Sequence, residues 1–340
     1  MGSALHLRSR HALVLAALSA ASCEPRGDTL AMQPVQPTSG AGGSDYRHAS
    51  AVITRLRDGL TDPEGYWVIE PADPTPTTAP VLVYMHGYGA SEPDDGYEAM
   101  LVHFARKGWV VVFPWRGLSL DAGTHETNAR RAVLDALDVL GTGDHPRPNG
   151  RISFAGHSVG ASLALRMAAA GEPALPTPDA IVLHDPQDRR LLPDLLPAAL
   201  LATVPSSVHL LILQSETSAP GGPDANGSFA TEIWLDTPHI PRARRGLLRL
   251  HTDRHGTPIL VADHDGCRSG YRGLPLDAHD IWAYWRPTER ALREAMGEPP
   301  VGDSVFCGDP APACQDVRDQ GHWSDGVPAT PLENAADLGL

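Results

Sequence analysis

A chain of 340 residues, 42% of them hydrophobic and 6% aromatic, is long enough for one full-sized α/β domain with excursions and short for two. Its 41 acidic residues against 27 basic ones leave a formal charge of −14, a field that repels phosphates and anionic headgroups and excludes nucleic acid as a partner. The four cysteines form no CxxC pair, so no structural zinc site is expected.

The first 23 residues read as an export signal. His6, Arg8, Arg10 and His11 make a positive start, Ala12 to Ala21 is an apolar run too short to span a bilayer, and Ala20-Ala21-Ser22 supplies small residues for cleavage. With Cys23 directly after them, the segment also resembles a bacterial lipoprotein signal, which makes Cys23 a candidate for lipid anchoring at a membrane. It departs from that pattern at Ala20, where leucine is usual. Residues 24–46 are rich in Pro, Gly, Ser and Thr without hydrophobic period, the composition of a disordered linker.

From residue 47 to about 298, strand-like and helix-like segments alternate, as in a mostly parallel sheet with helices on both faces. Strands are predicted at Tyr66–Ile69, Val81–Met85, Trp109–Phe113, Arg151–Ala155, Ala180–Leu183, Val208–Leu213 and Leu247–Leu250, with a further apolar run at Pro258–Ala262. Helices are predicted at Tyr97–Lys107, Glu126–Leu140, Ala161–Ala170 and Asp277–Met296, the last kinked at Pro287. Residues 299–340 have no sustained period and read as a loop-rich tail. In an oxidising compartment Cys307 and Cys314 are the natural disulfide pair across a turn-rich stretch.

The strand at Ile152–Ala155 runs into Gly156-His157-Ser158-Val159-Gly160 and then directly into an Ala-rich helix. Small residues on both sides of a serine allow a strained strand-to-helix turn that presents the hydroxyl at a helix N-terminus. Upstream, Val81–Met85 ends in His86-Gly87-Tyr88-Gly89. These motifs, with the intervening VVVFP and the later AIVLHDP and HLLILQSET, resemble the α/β-hydrolase superfamily over about residues 66–296, nearest to chlorophyllase-like and cutinase-like esterases and dienelactone hydrolases.

The resemblance implies the α/β-hydrolase fold, Ser158 as nucleophile, and an oxyanion hole made by the backbone amides of Tyr88 and Val159. It also implies a carboxylate after a later strand, then a histidine. Glu216, just past Val208–Leu213, is the first choice of acid; Asp224 in the following loop and Asp185 after Ala180–Leu183 are the alternatives. His264, delivered by Pro258–Ala262, is the candidate base, with His251, His255 and His279 as the other histidines of that region. His86 and His157 suit packing under the loop and the turn. No cofactor or metal is needed by such a triad.

Trp115, Trp234, Trp282 and Trp285 are candidate walls of an apolar acyl pocket, although Trp282 and Trp285 at helical spacing also suit a core. With the acidic surface, the expected substrate is a neutral ester, lipid-like or polyester. The same triad also serves peptidases and acyltransferases. A different class is a surface binding lipoprotein on an inactive scaffold.

Overall fold

The computed structural model describes residues 30–57, 61–119, 121–171, 175–186, 195–217, 229–307 and 314–340. Nine strands follow in chain order: β1 (Ser50–Arg55), β2 (Tyr66–Ala72), β3 (Thr78–Met85), β4 (Val110–Pro114), β5 (Arg147–His157), β6 (Ala180–His184), β7 (His209–Ser215), β8 (Arg245–Leu250) and β9 (Glu333–Asn334). The helices are α1 (Glu98–Lys107), α2 (Ala122–Val139), α3 (Val159–Ala169), α4 (Ala198–Leu201), α5 (Phe229–Asp236), α6 (Arg286–Ala295) and α7 (Gln315–Arg318).

The strands form one sheet in the order β1-β2-β4-β3-β5-β6-β7-β8-β9. From β4 through β8 every pairing is parallel, whereas β1, β2 and β9 attach antiparallel at the margins. The central strands are buried on both faces, which is why they read as continuous apolar runs. Alternate side chains face opposite layers. Val81, Val83 and Met85 join the core under α2, α3 and α5, while Leu82 and Tyr84 join the core under α1 and α6.

Three expectations need correction. The apolar run 258–262 is not a strand: only an isolated bridge joins Leu260 to Asp253. The kink expected at Pro287 is instead a π-helical turn, Asp280–Trp285, leading into α6. A wider turn removes the need for the proline to donate within an α-helical ladder.

Residues 30–46, read as a linker, are packed down. Met32 and Ser324 exchange two hydrogen bonds of 2.9 and 3.0 Å, Trp282 Nε1 donates to the Val35 carbonyl at 3.1 Å, and the Gly42 amide donates to buried Glu289 at 2.8 Å. The order comes from hydrogen bonds to the segment's backbone groups, so hydrophobic periodicity does not reveal it.

The C-terminal segment is mostly loop, as expected, but it also supplies β9 and buries Trp323, whose indole donates to Asp253 at 3.0 Å. Cys307 and Cys314 are bridged, with Cα atoms 5.6 Å apart, and Cys267 is a buried free thiol. Among the described residues no helix is long and apolar enough to cross a membrane. The expected export signal, Cys23 and Asp224 all lie outside the described residues.

Candidate active site

Ser158 stands between β5 and α3, with φ 56° and ψ −122°, a conformation an L-residue holds only where its surroundings impose it. The surroundings are close backbone contacts. A Cβ on Gly160 would lie 2.1 Å from the Met85 carbonyl oxygen and 2.4 Å from that of His86, and one on Gly156 would lie 2.6 Å from Gly160 itself. Glycine at both positions therefore lets the turn close against the end of β3. The Ser158 amide anchors it by donating to the His184 carbonyl on the neighbouring strand at 3.0 Å.

His264 arrives from the loop after β8, and its Nε2 lies 2.9 Å from Ser158 Oγ. The two groups are within hydrogen-bond reach. His264 Nδ1 is buried and has no hydrogen-bond partner.

Of the described candidate acids, Asp185 feels the charge on His264, with no hydrogen bond between the two. Asp185 directly follows β6 at φ 44° and is completely buried. Its carboxylate accepts the Ser215 amide and hydroxyl, each at 2.6 Å, and the Tyr284 hydroxyl at 2.8 Å. Burial pushes its pKa up to about 6, opposed by the charge on His264 and by these hydrogen bonds.

Glu216, the first choice from sequence, is engaged elsewhere. It accepts the Thr252 amide at 2.9 Å, which holds its pKa below the usual carboxylate value. The position past β7 is the expected one, but its side chain ties that strand end to the segment after β8. Asp263 also feels the charge on His264, and burial raises its pKa.

The other histidines have their own partners. His251 faces Glu333 at 2.8 Å, His255 faces Asp325 at 2.7 Å, and His279 Nδ1 lies 3.3 Å from the Val261 carbonyl. His86 and His157 are buried, and desolvation holds both far below the ordinary imidazole pKa.

Tyr88 is partly exposed in the loop after β3, with its hydroxyl 3.3 Å from the Leu118 carbonyl. Behind this loop lies Arg116, a residue the sequence reading missed. Its guanidinium is buried, donates to the His86 carbonyl at 2.7 Å and touches the His86 imidazole at 2.9 and 3.0 Å. No acidic side chain among the described residues pairs with it, and burial pulls its pKa down to about 10.

Of the tryptophans considered for a pocket, only Trp115 stacks beside this loop, against His86 at 5.8 Å. Trp234 and Trp285 are core residues, and Trp282 packs the N-terminal segment. Cys267 is no competing nucleophile, because burial pushes its thiol pKa well up. Among the described residues no cluster of His, Cys, Asp and Glu is suited to a metal ion. Neither a protein-family model nor a curated protein matches the chain.

Proposed function

We propose that this chain is a serine hydrolase of the α/β-hydrolase fold that cleaves carboxylic esters, with Ser158 as nucleophile, His264 as base and Asp185 as acid. The observation that carries the reading is the 2.9 Å approach of His264 Nε2 to Ser158 Oγ at a strained turn that glycines allow to close.

In this mechanism His264 takes the Ser158 proton as Oγ forms a bond to the ester carbonyl carbon, and the carbonyl oxygen becomes an oxyanion. The amides of Tyr88 and Val159 receive that charge, each aligned donor contributing about 3 kcal/mol. As the carbon to alkoxy-oxygen bond breaks, His264 returns the proton to the leaving alcohol. Water, deprotonated by the same imidazole, then releases the acid and restores Ser158. Asp185 stabilises the imidazolium through its charge, without a hydrogen bond to the ring.

The net charge of −14 favours a neutral ester over an anionic one. The disulfide between Cys307 and Cys314 suits an oxidising compartment, in line with export. The test is labelling of the folded protein with a fluorophosphonate and mapping of the modified peptide. Labelling at Ser158 that disappears in Ser158→Ala supports the reading; a folded chain that stays unlabelled overturns it.

A further inference from the structure

His157, beside the nucleophile, has an unambiguous proton arrangement. Its Nε2 lies 2.7 Å from the backbone carbonyl oxygen of His264, and a carbonyl only accepts, so Nε2 carries the proton. The ring is 1% exposed, with Arg268 and His264 nearby. A second proton on it would create a buried cation beside a cation, so Nδ1 is a bare acceptor.

Tyr97 completes the chain. Its hydroxyl lies 2.8 Å from His157 Nδ1 and therefore donates to it, and the same oxygen accepts the Gly87 amide at 2.9 Å. The hydrogen bonds run one way, from Gly87 N–H through Tyr97 O–H and the His157 ring to the His264 carbonyl. Aligned in this sense, each polarises the next. A Cβ on Gly87 would lie 2.9 Å from His157 Nδ1 and 3.2 Å from the Tyr97 hydroxyl, so glycine leaves the room this chain needs.

The ends of the chain matter. Gly87 precedes Tyr88, the oxyanion donor of the proposed mechanism; His264 is its base; and His157 is covalently joined to Ser158. Arg268 braces the same interface, donating to the Asp95 carbonyl at 2.7 and 3.1 Å and to Asp265 at 3.1 Å. We propose that His157 is a positioning residue that, through Tyr97, fixes the oxyanion loop and the His264 backbone in one register about Ser158. This rests on the serine-hydrolase reading above.

The test uses the whole chain, p-nitrophenyl butyrate as substrate and a fluorophosphonate as active-site probe. His157→Leu lowers kcat and the labelling rate about 100-fold with KM nearly unchanged, the scale of an ångström-level misplacement. His157→Gln puts an amide N–H where Nε2 was and restores most of the loss. Tyr97→Phe costs about tenfold, and adding it to His157→Leu brings no further loss, because both act through one chain.

A folded His157→Leu protein with wild-type kcat overturns the proposal, as does an equal loss in Leu and Gln. Should His157→Leu fail to fold, Tyr97→Phe decides: a tenfold loss supports the chain and an unchanged rate overturns it. A wild type that does not label at Ser158 overturns the hydrolase reading first, and the positioning role falls with it.

Discussion

Ser158 and Asp185 stand at equivalent positions on adjacent parallel strands. β5 and β6 pair His157 with His184, and the next residue of each strand leaves the sheet at positive φ, 56° for Ser158 and 44° for Asp185. Parallel neighbours run about 4.8 Å apart, so this register sets the two residues beside each other at the carboxyl ends of their strands. Glu216 stands one strand further out and faces Thr252.

On the proposed mechanism Asp185→Asn is therefore expected to lower kcat about 10- to 100-fold, through loss of a buried negative charge that stabilises the imidazolium. Glu216→Ala should leave kcat near wild type and cost about 1 kcal/mol of stability for the lost hydrogen bond to Thr252. Steady-state hydrolysis by the two variants checks this. The opposite ranking would return the acid to Glu216.

How far the sequence carried this can be judged residue by residue. The parallel strands were legible because burial on both faces leaves uninterrupted apolar runs, and Gly156, Ser158 and Gly160 were legible because a strained turn restricts its neighbours to small residues. The choice between Asp185 and Glu216 was not legible, because both follow a strand and sequence does not show which side chain turns inward. A usable signal was present: His157-Ser158 and His184-Asp185 both end an apolar run with histidine and a polar residue. Arg116 and Tyr97 gave no local signal, since their partners lie 30 and 60 residues away in the chain.

The pH dependence of stability separates Asp185 from its neighbours. Burial raises its pKa from 3.8 to about 6, so between those values the folded chain holds a proton that the unfolded chain has released. Stability then falls as pH rises through this window, by roughly 3 kcal/mol in all. Asp185→Asn does not ionise and escapes this loss. Denaturant midpoints should show the variant gaining on wild type between pH 4 and about pH 6, then running parallel to it. Activity moves the opposite way, rising as Asp185 ionises. A constant difference in stability across the range would contradict the assignment of this titration to Asp185.

Gly160→Ala brings a methyl to within 2.1 Å of the Met85 carbonyl oxygen and 2.4 Å of that of His86. Both obstacles are backbone at the end of a buried strand, so relief requires the elbow to move away from β3. The expected cost is at least about 3 kcal/mol, with loss of Ser158 labelling even under conditions where the chain stays folded. Equilibrium unfolding with parallel fluorophosphonate labelling measures both. Near-native labelling would mean that the elbow tolerates displacement and that the contact with β3 is not what aligns the serine.

The N-terminal strap offers the last test, because it satisfies charges that the sheet's helices bury. Glu289 on α6 is fully buried, and it receives the Gly42 amide at 2.8 Å, His103 Nε2 at 3.2 Å and Arg293 at 2.8 Å. Lys107 at the end of α1 is 2% exposed; it donates to the Gly40 carbonyl at 2.8 Å and to Asp45 at 2.5 Å, with Glu289 at 3.9 Å. A chain beginning at Arg47 removes Gly40, Gly42 and Asp45 together. It leaves one Glu289 lone pair unmet and strips Lys107 of its two nearest acceptors, while opening both groups to water. Because water then replaces part of what is lost, the expected cost is about 2 to 4 kcal/mol, below that of a buried pair broken with no access to solvent. Unfolding midpoints of the full and shortened chains decide the matter. An unchanged midpoint would show that the strap covers the domain without stabilising it, and that residues 30–46 act as the linker their composition suggests.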